Sequence, residues 1–364
     1  MSSSEKPENE KKFDPPSKEA FGSKQIDLFR TFLCKDEEQL KKMSNAIPLW
    51  DCLPLYSISR QAAGKMQKAG TFPKLLNFEC TYLGRKTFVE IQPARLVNEG
   101  VVTEYFPGAN EQLIEDALRK IATLQNYGFY ENGKNRSGVS FTIYQLRQEL
   151  KKHGHSRSHR QIVLSLRILA RSSIEISAED GRTKIFDSCA YFRGLSSVSR
   201  SNMAEDPDAS WYVEFHPLIT RAINDVQYRQ FDYESMMSHK PQLARWLHKY
   251  FIAKFTNASL DRKFKIRFST IKRVSGLLEF YERKRDAIKA IKEALNSLAS
   301  KRILQGIKNE NDEILALLEE EKTIGTNNEI VDVEFTVFST VELACEAKRS
   351  NTNKNIIEGK SKEK

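Results

Sequence analysis

Two helix-start signatures constrain the middle of this chain more than any other feature: Thr142 with Gln145, and Ser158 with Gln161. In each, a hydroxyl at the cap accepts a hydrogen bond from the backbone three residues on, while the glutamine accepts one from the backbone of the cap. Between them there is room for one short helix, roughly residues 143 to 152, and a tight HGHS turn at Gly154. The second signature opens a helix that runs to about Arg171. Upstream, EQLIEDALRKIATLQNY places Leu113, Ile114, Ala117, Leu118 and Ile121 at helical spacing, Gly128 is expected to end that helix, and VSFTI reads as a short strand. Downstream, SSIEISAEDGRTKIFDSCAYF reads as two strands joined at Asp180-Gly181. Helix, strand, helix, tight turn, helix, hairpin is the order of a winged helix-turn-helix.

The same order returns later. Residues 238 to 256 are expected to form a helix with Pro241 in its first turn and Leu243, Trp246, Leu247, Tyr250 and Phe251 on its apolar side. FKIRF alternates as a strand, Ser269 is placed to cap a helix to about Leu277, and residues 281 to 301 read as a long helix. ILQGI, EILALLEEE and EIVDVEFTVF, with a turn at Gly325 to Asn328, supply a second hairpin. The two halves share element order and no close residue repeat. The expected fold class is α+β: two tandem winged helix-turn-helix domains over 111–232 and 233–342, with a flexible tail over 1–44, an N-terminal extension over 45–110 and a disordered tail over 343–364. Within the extension, NFECTYLGRKTFVEIQP alternates like a hairpin about Gly84-Arg85, and no role is assigned to the stretch.

Charge is unevenly spread in this chain of 364 residues and net charge +10. Residues 118–200 hold 15 basic and 6 acidic side chains, and residues 240–310 hold 18 and 6, so the rest is net acidic. Two basic blocks in an otherwise acidic chain point to two modules that each meet a polyanion, of which a nucleic-acid backbone is the commonest. Solvated surface is the plain alternative. With 40% hydrophobic residues the chain has material for ordinary cores. No apolar run nears the roughly 18 residues of a bilayer span, so no membrane partner is expected. The five cysteines, Cys34, Cys52, Cys80, Cys189 and Cys345, are scattered without a C-x-x-C pair, which suits a reducing cytoplasm.

Each module has a candidate recognition helix. In the first, Arg167 and Arg171 fall within about 20° of Arg160 around the helix axis, and most of the rest of the helix, Ile162, Val163, Leu166, Leu169 and Ala170, is apolar as expected of a buried helix. Ser156, Arg157, Ser158, His159 and Arg160 form its first turn, where free N–H groups and the positive dipole end favour phosphate and an arginine can reach guanine O6 and N7. In the second, Arg285, Lys289, Lys292 and Asn296 share the face opposite Ala287, Ile288, Ile291, Ala294, Leu295 and Leu298, with Arg283 and Lys284 in the first turn. Arg182, Lys184 and Lys308 are expected to add backbone or minor-groove contacts from the hairpins.

Catalytic readings find little support. His153, His155 and His159 lie in the helix-turn-helix turn without a cysteine or acidic partner at ligand spacing, and His216 before Pro217 reads as structural. A nickase needs a His-hydrophobe-His motif on a strand, whereas Gly154 stands between His153 and His155. No G-x-x-x-x-G-K-[ST] occurs. The expectation is no enzyme activity, no metal and no cofactor.

These patterns resemble the iteron-binding plasmid replication initiators of the TrfA, RepE and pi type, and the RepA-type initiators of broad-host-range plasmids. The resemblance covers about residues 111–340 and is carried by TIYQLRQEL…SRSHRQIVLSLRILARSSIEI, WYVEFHPLITRAI and EIVDVEFTVF. It implies two winged-helix domains on successive faces of double-stranded origin DNA bearing direct repeats, opening of an adjacent A+T-rich region, and contact with the host initiator and replicative helicase. It also implies a homodimer that represses its own gene beside a monomer that initiates, and so a part in copy control. Gln25-Ile26-Asp27-Leu28-Phe29 resembles the peptide by which bacterial replication factors dock on the β sliding clamp; Leu28 and Phe29 would fill an apolar pocket with Gln25 at its rim. The alternative for that segment is one apolar face of a short helix. For the whole chain, the alternative is a winged-helix transcriptional repressor without a replication role.

Overall fold

The computed structural model describes residues 42–362 apart from 83–84, 99, 124–127, 132–135, 180–183, 199–208, 226, 261 and 327–328. The chain begins with β1 (Met43–Ala46) and α1 (Pro48–Asp51), which has proline in its first turn, where a missing N–H costs nothing. Then come α2 (Arg60–Lys68), capped by Ser59, and the strands β2 (Leu76–Tyr82), β3 (Arg85–Gln92), β4 (Ala94–Asn98) and β5 (Val101–Tyr105). The first three-helix unit is α3 (Ala109–Ala122), α4 (Ile143–Lys152) and α5 (His159–Arg171), with β6 (Gly128–Glu131) and β7 (Arg136–Thr142) between α3 and α4. It is followed by β8 (Ser173–Glu179), β9 (Lys184–Ala190), β10 (Phe192–Val198), β11 (Ser210–Phe215), α6 (Pro217–Asn224), β12 (Arg229–Asp232) and α7 (Tyr233–Met237). The second unit is α8 (Gln242–Lys254), β13 (Lys263–Arg267), α9 (Phe268–Ser275) and α10 (Lys284–Ser300). After it run β14 (Gly306–Lys308), β15 (Ile314–Ala316), β16 (Leu318–Ile324), β17 (Ile330–Phe338) and α11 (Val341–Lys362).

The fold is mixed α+β, and the helix-turn-helix elements lie where the capping signatures put them. Both capping boxes are closed, with Thr142 Oγ1 accepting from Gln145 N and Ser158 Oγ from Gln161 N. Gly154 sits at φ +75 in the turn, and a Cβ there would stand 2.5 Å from Lys240 Nζ. The sheets depart from a simple repeat. In the second unit β13, β17 and β16 form one antiparallel sheet in that order. In the first, the hairpin β8–β9 leaves β7 and joins the N-terminal extension in the sheet β2-β3-β8-β9, while β7 pairs with β6 and β11. The reason is apolar register: Ile91 faces Ile174 and Val89 faces Ile176 across β3 and β8, and all four are buried.

Several sequence expectations are corrected. The first helix stops at Ala122, and Gly128 opens β6 rather than ending a helix. Pro241 is the cap of α8. Ser269 does not cap α9; Arg267 holds that position, and Ser269 N and Oγ donate to Asp332. The long helix starts at Lys284, not at residue 281. The boundary at 44/45 cuts β1, which pairs with β12. The tail expected to be disordered is helical as far as Lys362: α11 buries Leu343 and Ala347, and Arg229 donates to Asn351 Oδ1 at 2.7 Å. Where the second unit meets the extension, Gly276 ends α9 at φ +65, and a Cβ there would meet Pro54 and Ser57 at 2.9 and 2.8 Å.

Where the extension, α3 and α8 meet, charge is buried. Arg119 of α3 donates through Nη1 and Nη2 to the two carboxylate oxygens of Asp51, each at 2.9 Å. Lys249 of α8 donates to Asp51 at 3.0 Å and to Asp116 at 2.5 Å, and Tyr56 donates to Glu115. Burial alone would raise the Asp51 carboxyl, but Arg119 and Lys249 outweigh it and hold it well below the usual carboxylate range. Burial raises Glu115 to about 7, with Asp116 adding to the shift and Arg119 opposing it.

Removing one partner of such a pair strands the other in low dielectric, so Lys249→Ala is expected to cost about 3–5 kcal/mol of unfolding free energy by denaturant titration. A loss below about 1 kcal/mol would contradict the buried pairing. Glu115 keeps its proton in the folded state up to about pH 7, whereas the unfolded chain releases it near 4.5. Its ionisation therefore weakens the fold as pH rises through that window. Glu115→Gln is expected to flatten the decline of stability between those pH values; an unchanged slope would show that Glu115 is ionised in the fold.

Candidate nucleic-acid interface

The cap at Ser158 leaves the start of α5 open, and its buried side comprises Ile162, Ser165, Leu166, Ile168 and Leu169. On the far side Arg160 and Arg171 are exposed and Arg167 half-buried, so the arginine stripe is presented to solvent. Ser156 and Ser158 are exposed at the first turn. Arg157 is held instead: its Nε donates to Asn110 Oδ1 at 2.8 Å and its Nη1 to Ser156 O at 2.8 Å. His159 is half-buried, with an Nε2 that has no hydrogen-bond partner among the described residues. One flank of α5 is covered: Ala94 and Leu96 of β4 and Tyr105 of β5 pack on Leu164 and Ile168 as a small separate core. Lys184 opens β9, and Arg182 lies outside the described residues.

The other histidines serve the fold. His155 Nε2 meets Met237 O at 2.6 Å, and burial pulls its pKa down to about 4. His153 pairs with Glu149 at 3.2 Å and lies edge-on to Tyr233. His216 caps α6, accepting from Leu218 N at 3.1 Å, and rests on Trp50. Among the described residues no three His, Cys, Asp or Glu side chains are grouped to hold a metal ion. No helix of the described residues is long and apolar enough to cross a membrane.

The stripe on α10 is divided. Arg285 and Lys289 stand out from the helix, 74% and 77% exposed, with carboxylates no nearer than 3.8 Å and 3.9 Å. Lys292 turns to Glu320 of β16 at 2.7 Å, and Asn296 Oδ1 accepts from Ala316 N of β15. Arg283 is the residue before the helix and binds Asp286 at 2.7 Å. Lys284 Nζ donates to the carbonyls of Ile330 and Val331 on β17, and Lys308 pairs with Asp312. The sheet beside the helix is acidic: β16 carries Glu319, Glu320 and Glu321, and Glu334 of β17 takes both Lys265 and Arg267. Phosphates are not drawn to a sheet whose cations are already paired, so the half of α10 around Arg285 and Lys289 is the side open to a polyanion.

Sequence reasoning missed Arg60. It lies in the extension, far from α5 in sequence, yet its guanidinium reaches Glu111 at 3.0 Å and Ser165 at 3.5 Å. Spacing along the chain gives no signal for such a contact. The expected clamp peptide, Gln25 to Phe29, lies outside the described residues.

If Arg160 reads a base, Arg160→Ala is expected to cost about 1–3 kcal/mol of binding and to relax sequence choice, measured by anisotropy on a panel of duplexes. Lys289→Ala is expected to weaken all duplexes alike and to lower the slope of log K against log salt by about one. A change of sequence preference at Lys289 without loss of affinity would contradict its assignment to phosphate.

The chain matches no protein-family model, and no curated protein sequence matches it. Some solved structures align with the chain at low identity. Domains 2 and 3 of RctB, as selenomethionine derivatives, align with a TM-score of 0.48 at 11% identity, covering 80% of this chain and 98% of that one. A second structure of RctB domains 2-3 gives 0.43 at 10% identity, over 75% and 95% of the two chains. The Pi initiator protein in complex with iteron DNA gives 0.38 at 10% identity, over 68% and 98%.

Proposed function

We propose that this chain is a non-enzymatic initiator of plasmid DNA replication, acting in the bacterial cytoplasm, that binds repeated duplex sites at its origin through two winged-helix modules. The single observation that carries the reading is the pairing of two helices, α5 and α10. Each is packed by its apolar side in a three-helix unit, and each offers outward cations at its free face: Arg160, Arg167 and Arg171 on one, Arg285 and Lys289 on the other. A helix of this kind fits the major groove, where its first turn meets base edges and the backbone lies along its flanks. Two of them in one chain suit a long or repeated site. Binding strain in such a site would favour opening of neighbouring A+T-rich DNA, whose steps unstack most easily. The Gln25–Phe29 peptide would bring the β sliding clamp, with helicase and host initiator as further partners and a homodimer as the repressing form.

The test is footprinting of the purified protein on the DNA around its own gene, with permanganate to mark unpaired thymines. Protection of tandem direct repeats with melting beside them is expected. Protection of one promoter site without melting would replace the initiator with a repressor, and no protection of any duplex would remove the DNA-binding reading.

A further inference from the structure

The N-terminal extension has no role in the reading above, yet it places a guanidinium beside the start of α5. Arg60, the first residue of α2, is anchored through Nη2 to Glu111 Oε1, and its side chain remains 43% exposed. Glu111 is 1% exposed in its side chain and is fully used: Oε2 accepts from Gly108 N at 2.9 Å, and Oε1 accepts from Ser165 Oγ as well as Arg60. Next to Glu111 in sequence, Asn110 holds Arg157. Successive residues of α3 thus hold the two guanidiniums, and the charge of Arg60 is felt at Arg157. Burial first, and then that charge, lowers the Arg157 pKa. Lys240 adds a third cation at the same turn through the Gly154 carbonyl, 2.9 Å away.

Two like charges are held here by neighbouring anchors, and the carboxylate that pairs with Arg60 is buried and fully used. Among the described residues no acceptor meets Nε or Nη1 of Arg60, or Nη2 of Arg157. Planar donors with free N–H groups match the two oxygens of a phosphate. The first turns of α2, α3 and α5 all border the place and add positive potential.

We propose that Arg60 and Arg157 together clamp one backbone phosphate at the edge of the site entered by α5, which makes the N-terminal extension part of the DNA-binding surface. The assignment rests on the proposed reading of α5 as a groove-binding helix. The phosphate lies beside the first turn, while the base-facing stripe through Arg160 points elsewhere around the helix. A contact of this kind carries no sequence information and fixes how the helix is seated.

The test compares Arg60→Gln, Arg157→Gln and the double variant with the full-length protein by anisotropy on mixed-sequence duplex DNA and on the footprinted repeats, over a salt series. Each single change is expected to weaken both duplexes by about tenfold, leaving their ratio unchanged. The double variant is expected to lose little more than either single one and to lower the salt slope by about one, because one phosphate is shared. Arg60→Lys, which keeps the charge beside Glu111 but loses the planar fork, guards against misfolding and is expected to bind more tightly than Arg60→Gln and less tightly than wild type. Single losses that multiply in the double variant, or a loss confined to the repeats, would overturn the shared clamp. So would wild-type affinity in Arg60→Gln. Inorganic phosphate that raises the melting temperature of wild type but not of Arg60→Gln, with DNA binding of the variant intact, would mark a free-anion site and overturn it too. Failure of the unaltered protein to bind either duplex would sink the reading of α5 itself, an outcome distinct from all of these.

Discussion

The arrangement of the whole molecule depends on the charges buried around Asp51. That carboxylate, in α1, takes Arg119 from α3 and Lys249 from α8; Lys249 is shared with Asp116, and Glu115 accepts from Tyr56. Three stretches far apart in sequence are thus joined at one point. Apolar contact is non-directional and would allow these helices to slide, whereas an ion set without water has few arrangements that leave no charge unpaired. Because α3 packs on α4 and α5, and α8 packs on α10, a fixed α3–α8 relation fixes where the two candidate recognition helices stand. The extension is part of that relation through Asp51 as well as through the backbone carbonyls of Asn45 and Met43, which accept from Arg119 and Lys120.

The extension also alters what each unit presents. By taking β8–β9 into its own sheet and laying β4–β5 along one flank of α5, it narrows the free surface of that helix to the arginine stripe and the first turn. In the second unit the narrowing comes from the strands after α10: Glu320 of β16 takes Lys292 and the backbone of β15 takes Asn296 out of the stripe. In α10 the outward cations Arg285 and Lys289 lie in the amino-terminal half, where the backbone dipole already favours anions, whereas in α5 the stripe runs from the first turn at Arg160 to the last residue, Arg171.

How far the sequence reveals this follows from the range of each interaction. Capping boxes, helical spacing and alternating strands are local, so α4, α5, β8, β9, β13 and β17 stand close to where pattern alone places them. Ser269 looked like a cap because its local sequence suits one; the competing acceptor, Asp332, arrives from a strand more than sixty residues later. The tail after residue 343 reads as polar and yet buries Leu343 and Ala347, because its partners at β12 are distant in sequence. The candidate interface divides the same way. The stripe through Arg160 follows from periodicity, whereas the pairing of Lys292 with Glu320, the capture of Arg157 by Asn110 and the position of Arg60 depend on tertiary contacts that spacing does not encode.

In the proposed reading, α5 and α10 meet the same duplex. This is tested most directly by placing a photocrosslinking residue at position 160 or at position 285 of the full-length protein and mapping the crosslinked bases on the footprinted DNA. The account predicts crosslinks from both positions, at two separate major-groove segments within one protected site. Crosslinks from position 160 alone, with position 285 silent while binding is intact, would contradict it.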